Sequence, residues 1–258
     1  MLAELKGLNE ECGVFGIWGH IDAAQITYYG LHALQHRGQE GTGIAISDGD
    51  SVKVVKGEGL VTEIYTSEAM KELKTGTSAI GHVRYATAGG SGYENVQPFA
   101  FHFQTGSLAL AHNGNLVNAN QLKSQLEGQG SIFQTTSDTE VLAHLIRRGG
   151  NSPFKDRVKN ALSMVKGAYA FLIMTETQLM VALDPNGMRP LSIGKLGDAY
   201  VVASETCAFD VVGAEFVRDV LPGEIIMIDD NGLRSEIFAH ASNQAMCMME
   251  YVYFARPD

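Results

Sequence analysis

The chain has 258 residues, of which 45% are hydrophobic and 19% charged, with a formal net charge of −10. That apolar content can fill the core of one large domain or two small ones, whereas the acidic balance argues against a protein that grips a nucleic-acid backbone, which needs an excess of lysine and arginine on one face. No apolar run nears the roughly 18 residues of a membrane span, and the opening "MLAELKGLNEE" lacks the basic start and apolar centre of a secretion signal.

Cys12, Cys207 and Cys247 are far apart and leave an odd thiol in any disulfide scheme. A reduced, cytoplasmic setting is expected, with neither nucleic acid nor membrane as partner. Residues 1–11 show no strand pattern and read as a leader. From Cys12, "CGVFGIWG" alternates small and bulky apolar residues, as a buried strand does when its glycines allow close backbone approach. Asp22 can cap a helix running to about Gln35, where the turn "HRGQEG" stops it. "GIAISD" and "SVKVVKGEG" read as strands joined through Asp48-Gly49-Asp50, a hairpin signal. "SAIGHVRYAT" is a strand entering the glycine-rich "AGGSGYENVQP", and "GSLALAHNGNL" a strand running into a tight turn at His112-Asn113-Gly114-Asn115.

A helix is expected over 118–127. In "TTSDTEVLAHLIRRGG" Ser137 and Glu140 have the spacing of a capping box, with Gly149 as the stop. Phe154, Val158, Leu162 and Val165 recur at helical spacing before "GAYAFLIMT" turns to strand. "LMVALD", "PLSIG", "AYVVAS" and "EIIMID" follow as short strands around one short helix near residues 205–212. No repeat or linker interrupts the chain before about residue 236. This order, with hairpin-type connections, predicts a single α+β domain with antiparallel sheets and not a doubly wound βαβ fold.

Phosphate loops of the GxxxxGKS or GxxxxGKT type, a GxGxxG after a strand, and HExxH are all missing from the sequence. His82 and His112 read as core or hydrogen-bonding residues within strands. By its own position Cys12 fits a small buried hydrophobe. A nucleophilic thiol also needs a base, an oxyanion partner and groups that position a substrate, and three polar clusters bear on that choice. In "GHVRYATAGG" the planar fork of Arg84 can hold a carboxylate in a bidentate grip, although a solvent-facing strand edge explains it equally well. In "AHNGNL" Asn-Gly is ordinarily a turn, yet an Asn113 amide and a Gly114 N–H aimed the same way form a two-donor oxyanion hole. In "TSDTEV" Ser137 and Asp138 are explained as cap residues, yet a carboxylate there can face a ligand ammonium. Together Arg84 and Asp138 would read both ends of an α-amino acid.

The blocks "CGVFGI", "LQHRGQEGTGIA", "GHVRYATAG", "LAHNGNL", "SDTEVLAHLI", "GAYAFLI", "DPNGMRPLSIG" and "ASETCAFD", in this order, resemble the class II glutamine amidotransferase family. Within it they look most like the amino-terminal half of the amidophosphoribosyltransferases. The resemblance runs from Cys12 to the last residue. It implies an α+β fold, a four-layer αββα N-terminal-nucleophile hydrolase sandwich with two antiparallel sheets. It further implies that residues 1–11 are a propeptide removed to expose Cys12, that 12–240 form the glutaminase domain, and that 241–258 begin the linker to a phosphoribosyltransferase domain missing from these residues. A freed α-amine, with a pKa near 8, would serve as the general base without a histidine.

By the same resemblance the Cys12 thiolate attacks the side-chain amide of glutamine, Asn113 and the Gly114 N–H hold the oxyanion, ammonia leaves, and water resolves a γ-glutamyl thioester. Arg84 would hold the glutamine α-carboxylate with Thr87 beside it, Asp138 would hold the ammonium, and Arg37 would shape the site. In a full-length protein the ammonia makes 5-phosphoribosylamine from phosphoribosyl pyrophosphate, the first step of purine synthesis. Cys207 reads as a buried helix residue. Cys247 aligns with an iron–sulfur ligand of one subgroup, but a [4Fe–4S] cluster needs four thiolates, so no cofactor is expected in this chain, and [4Fe–4S] and Mg2+ are expected only of the full-length enzyme. The implied partners are glutamine, the phosphoribosyltransferase domain and further copies in a homo-oligomer. Three alternatives remain: the glutaminase of glucosamine-6-phosphate synthase or asparagine synthetase, a catalytically silent docking module, and a papain-like protease with a histidine base.

Overall fold

The computed structural model describes residues 12–73, 75–85, 92–104, 106–240, 245, 247, 248 and 250. Its strands are β1 (Gly13–Trp18), β2 (Gly41–Ser47), β3 (Val52–Glu58), β4 (Ser78–Arg84), β5 (Phe99–Phe103), β6 (Gly106–Leu116), β7 (Gly167–Met174), β8 (Leu179–Leu183), β9 (Ser192–Leu196), β10 (Ala199–Ala203), β11 (Glu215–Asp219), β12 (Glu224–Asp229) and β13 (Gly232–Ile237). The helices are α1 (Ala23–Ala33), α2 (Val61–Ile64), α3 (Ser67–Glu72), α4 (Ala119–Gly128), α5 (Thr139–Arg148), α6 (Phe154–Met164) and α7 (Cys207–Val212). The first sheet has seven strands in the order β11-β9-β10-β1-β4-β2-β3, and the second has six in the order β13-β12-β8-β7-β6-β5. Neighbours pair antiparallel throughout both sheets.

Side-chain parity sorts the layers. On β1, Phe15 and Ile17 face outward and pack with Leu31 of α1 and Phe209 of α7. The alternate residues Val14 and Trp18 face inward and meet Ala109, Ala111, Leu172 and Val181 of the second sheet. The outer face of that sheet, with Leu108, Leu110, Phe171 and Ile173, packs against Leu122, Val141, Leu142 and Leu162 of α4, α5 and α6. The result is helix, sheet, sheet, helix: the four-layer αββα sandwich. Because β1 is covered on both faces, all six of its residues are buried. Close approach of α1 depends on Gly30, where a Cβ would come within 2.3 Å of the Phe15 ring.

Several local expectations are overturned. The His112-Asn113-Gly114-Asn115 segment is not a turn; β6 runs straight through it, paired with β7 from Ala109↔Met174 to Leu116↔Gly167. Local Asn-Gly turn chemistry yields there to an eleven-residue strand held by a partner along its length. The capping box at α5 does not form. The Glu140 carboxylate turns instead to the N–H groups of Gln134 and Thr135, at 2.9 and 2.8 Å, and Asp138, the N-cap, makes no side-chain cap bond. Asp22 likewise stands at the N-cap of α1 without capping it. Among the described residues no helix is long and apolar enough to cross a membrane.

Candidate active site

Cys12 lies one place before the Gly13↔Val83 pair, so it sits opposite the Arg84 end of β4. Its parity is that of Val14, whose side chain faces the second sheet. By the same alternation, His82 and Arg84 follow Ile80 inward on β4, and Asn113 follows Ala109 and Ala111 inward on β6. A polar end to an otherwise aliphatic layer results, and all four side chains are buried.

The two sheets are tied there by a hydrogen bond from the His82 ring, whose Nε2 lies 3.1 Å from the His112 carbonyl. A carbonyl only accepts, so Nε2 carries the proton. Burial pushes this imidazole down to about 3, which keeps it neutral. His112 points the other way, stacked on Phe171 at a ring distance of 4.2 Å, with Nδ1 3.0 Å from the Thr139 hydroxyl. The main-chain N–H of His112 donates to Gln97 Oε1 at 2.8 Å, and Gln97 Nε2 donates to the same Thr139 hydroxyl at 3.3 Å. Gln97 and Thr139 thus brace the peptide that leads into Asn113, and no sequence signal singles them out.

Asn113 is 1% exposed, and its Nδ2 has no hydrogen-bond partner among the described residues. A buried amide donor left open costs about 1–3 kcal/mol. Gly114 follows with φ +143°, in backbone space that favours glycine, and a Cβ there would fall 2.1 Å from the Ala168 carbonyl oxygen.

Burial pushes the Cys12 thiol up to about 11, against the pull of the Arg84, Arg37 and Arg189 guanidiniums. Its Sγ donates to the Tyr85 carbonyl at 3.7 Å. Neither His82 nor His112 is its partner, which counts against the papain-like arrangement. Arg84 is 5% exposed, so the solvent-edge explanation fails. Arg37, at 2% exposure, donates through Nε to the Cys12 carbonyl at 3.0 Å, and its Nη1 bonds Glu205. Burial alone would raise the Glu205 carboxyl, but hydrogen bonds from His36 and Arg37 bring it down to about 2.

Asp138 reaches the end of β6 from the helical side, where Oδ2 accepts the Leu116 N–H at 2.7 Å. Burial pushes its carboxyl up, but the His112 ring, the Leu116 N–H and the Thr139 hydroxyl hold it below the usual carboxylate range. It borders a polar cavity of about 180 Å³ with Asn115, Asn120, Lys123 and Ser137 in the wall. Cys12, Arg84, Asn113 and Gly114 are therefore brought to one end of the inter-sheet layer, with Asp138 approaching from behind β6. Thr87 lies outside the described residues. Cys207 is buried on α7, as expected. Cys247 is half-buried, with its carbonyl accepting the Glu250 N–H at 3.1 Å. The chain's three cysteines fall short of a four-thiolate cluster, and among the described residues no three His, Cys, Asp or Glu side chains are placed to hold a metal ion. These residues do not make up a [4Fe–4S] site.

Residues 82–211, just over half of the chain, match the glutamine amidotransferase domain. The chain belongs to that family. This amidotransferase chain is 69% identical to an amidophosphoribosyltransferase of Bacillus subtilis across its whole length, an alignment that takes in 54% of the relative. A solved structure of glutamine phosphoribosylpyrophosphate amidotransferase from B. subtilis, complexed with ADP and GMP, superposes with a TM-score of 0.91 at 66% identity over 96% of this chain and 53% of that one. A structure of the allosteric regulatory enzyme of purine biosynthesis gives a TM-score of 0.93 at 68% identity, again over 96% of this chain and 53% of the other. The amidotransferase chain therefore spans about half the length of the relatives it matches.

Proposed function

We propose that the chain is the glutaminase half of an amidophosphoribosyltransferase, hydrolysing glutamine to glutamate and ammonia through a Cys12 thioester. The observation that carries this reading is the open Nδ2 of Asn113, a buried donor on the inward face that Cys12 also occupies. An oxyanion arriving beside the thiol would satisfy it, together with the Gly114 N–H, and such a donor lowers the barrier by roughly 3–4 kcal/mol. Such a donor speeds the reaction to the extent that it binds the oxyanion more strongly than the ground-state carbonyl.

The raised Cys12 thiol makes a base necessary. Cleavage between Glu11 and Cys12 converts an amide nitrogen, which cannot accept a proton, into an α-amine with a pKa of about 8. That amine takes the thiol proton, the sulfur attacks the glutamine amide carbon, and the proton passes to the departing nitrogen so that ammonia leaves. A water activated by the same amine then attacks the thioester and releases glutamate. Arg84 holds the α-carboxylate, with Thr87 alongside, and the ionised Asp138 holds the α-ammonium; two opposite charges together select an α-amino acid.

On this reading residues 12–240 form the glutaminase domain and 241–258 lead toward a phosphoribosyltransferase domain, which would use the ammonia to make 5-phosphoribosylamine with Mg2+ bound there. A cytoplasmic homo-oligomer fits such an enzyme. A cluster at Cys247 would need thiolates from outside this chain.

The test is glutamate release from glutamine by protein whose amino terminus has been sequenced. Chain beginning at Cys12 should turn over, chain still carrying residues 1–11 should not, and Cys12→Ala should fall to background. A correctly processed Cys12→Ala protein that still releases glutamate would refute the proposal. No turnover by the processed parent would favour a silent docking module.

A further inference from the structure

The group that fixes the Cys12 carbonyl is itself fixed from far along the chain. Glu250 is 2% exposed and its two oxygens are divided between two arginines: Oε2 accepts from Arg37 Nη2 at 2.7 Å and Oε1 from Arg189 Nη1 at 2.8 Å. Arg37 passes the constraint on through Nε to Cys12, while its Nη1 is taken by Glu205. The segment bearing Glu250 is docked by the Ala245 N–H on the Asn186 carbonyl at 3.0 Å. Arg37, Arg189, Glu205 and Glu250 line one cavity of about 390 Å³ beside the Cys12 end of β1.

A cluster of this kind is weak grounds for stability, because desolvating buried charges offsets most of their attraction. What it supplies is geometry. A guanidinium is planar and rigid, so carboxylates on both Nη atoms leave Nε one direction to point. Carboxylates from the β10–α7 junction and from the carboxyl-terminal segment hold Arg37 at both Nη positions.

We propose that Glu250 is a positioning residue for the Cys12 nucleophile, setting the main chain of Cys12 through Arg37 and coupling the carboxyl-terminal segment to the glutaminase centre. This rests on the reading of Cys12 as nucleophile. It also means that a glutaminase unit ending at residue 240 omits a group its own centre uses. Displacing a reacting atom by about 1 Å costs on the order of a hundredfold in rate, so a loosened Arg37 should be felt in turnover and not in glutamine binding, whose groups are Arg84 and Asp138.

The experiment compares Glu250→Gln with the parent in full-length processed protein, well below the unfolding midpoint. Expected are a fall in kcat of about tenfold to a hundredfold, KM for glutamine unchanged within about twofold, and a change of at least about fivefold in the rate at which iodoacetamide alkylates Cys12. Arg189→Gln, which opens the clamp from the other side, should shift the same quantities in the same direction by less, and serves where Glu250→Gln folds poorly. Unchanged kcat with unchanged alkylation overturns the proposal while leaving the glutaminase reading intact. A rise in KM that accounts for the whole loss overturns it as well. An inactive parent sinks the glutaminase reading, and the alkylation comparison then still decides whether Glu250 positions Cys12.

Discussion

The layer between the two sheets is built from one pattern of inward-facing residues yet has two unlike stretches. In its middle, Val14, Ile80, Ala111, Leu172 and Val181 are all fully buried and carry no polar side-chain atom. At its end, two or four residues further along the same strands, the inward positions become Cys12, His82, Arg84 and Asn113. Strand pairing continues through His82, Arg84 and Asn113, and Cys12 stands one residue before β1, so the difference lies chiefly in side-chain chemistry. Stability is best served by the first kind of packing. Among the described residues the second keeps an Asn113 Nδ2 and a His82 Nδ1 without partners, a cost that fits the ligand-binding role proposed for this end better than a folding one.

The comparison can be broken by substitution in each stretch. Asn113→Ala should lower kcat by about a hundredfold to a thousandfold, with KM for glutamine little changed and stability within about 1 kcal/mol of the parent, since an unsatisfied amide is removed along with its packing. Steady-state kinetics beside urea unfolding would check both halves. Leu172→Ala in the dry middle should do the reverse, with a stability loss of about 3 kcal/mol from the cavity it leaves and an unaltered kcat per folded molecule. If Asn113→Ala is as destabilising as Leu172→Ala and leaves kcat intact, the polar end is ordinary core.

Much of this was readable in the sequence, for stated reasons. Period-two patterning in "CGVFGIWG", "SAIGHVRYAT" and "GAYAFLIM" marks strands that are β1, β4 and β7 in the structure, and Asp48-Gly49-Asp50 joins β2 to β3 as its turn chemistry requires. Shorter pieces escaped. "FAFHF", "EFVRD" and "GLRSEI" form β5, β11 and β13, at or next to a sheet edge, where one neighbour decides the matter and composition does not. Asn113-Gly114 misleads for a related reason: a local turn signal is outweighed by pairing to Ala170 and Tyr169, more than fifty residues away. The residues proposed for the site are the ones that the blocks of the family resemblance carry. Glu205 lies inside the "ASETCAFD" block and Glu250 in none, yet neither role is legible, because neither glutamate has a periodicity and the shared partner Arg37 lies 168 and 213 residues off.

Glu205 offers the smallest and most specific contrast with the apolar stretch, which has nothing to titrate. With its carboxyl held at about 2 instead of the ordinary 4.5, Glu205 binds its proton less readily folded than unfolded. Its contribution is therefore complete above pH 4.5 and is lost as pH falls toward 2, at most on the order of 2–3 kcal/mol. Asp138, Glu140 and Glu224 are also held low and add to the same acid limb, so the readout has to be a difference between proteins. Urea midpoints of the parent should fall more steeply than those of Glu205→Gln across that window, while Leu172→Ala should run parallel to the parent at a constant offset. Parallel curves for Glu205→Gln and parent would mean that the Arg37 pairing gives no pH-dependent support. The carboxylate would then serve geometry alone, as a second hand on the guanidinium that holds Cys12.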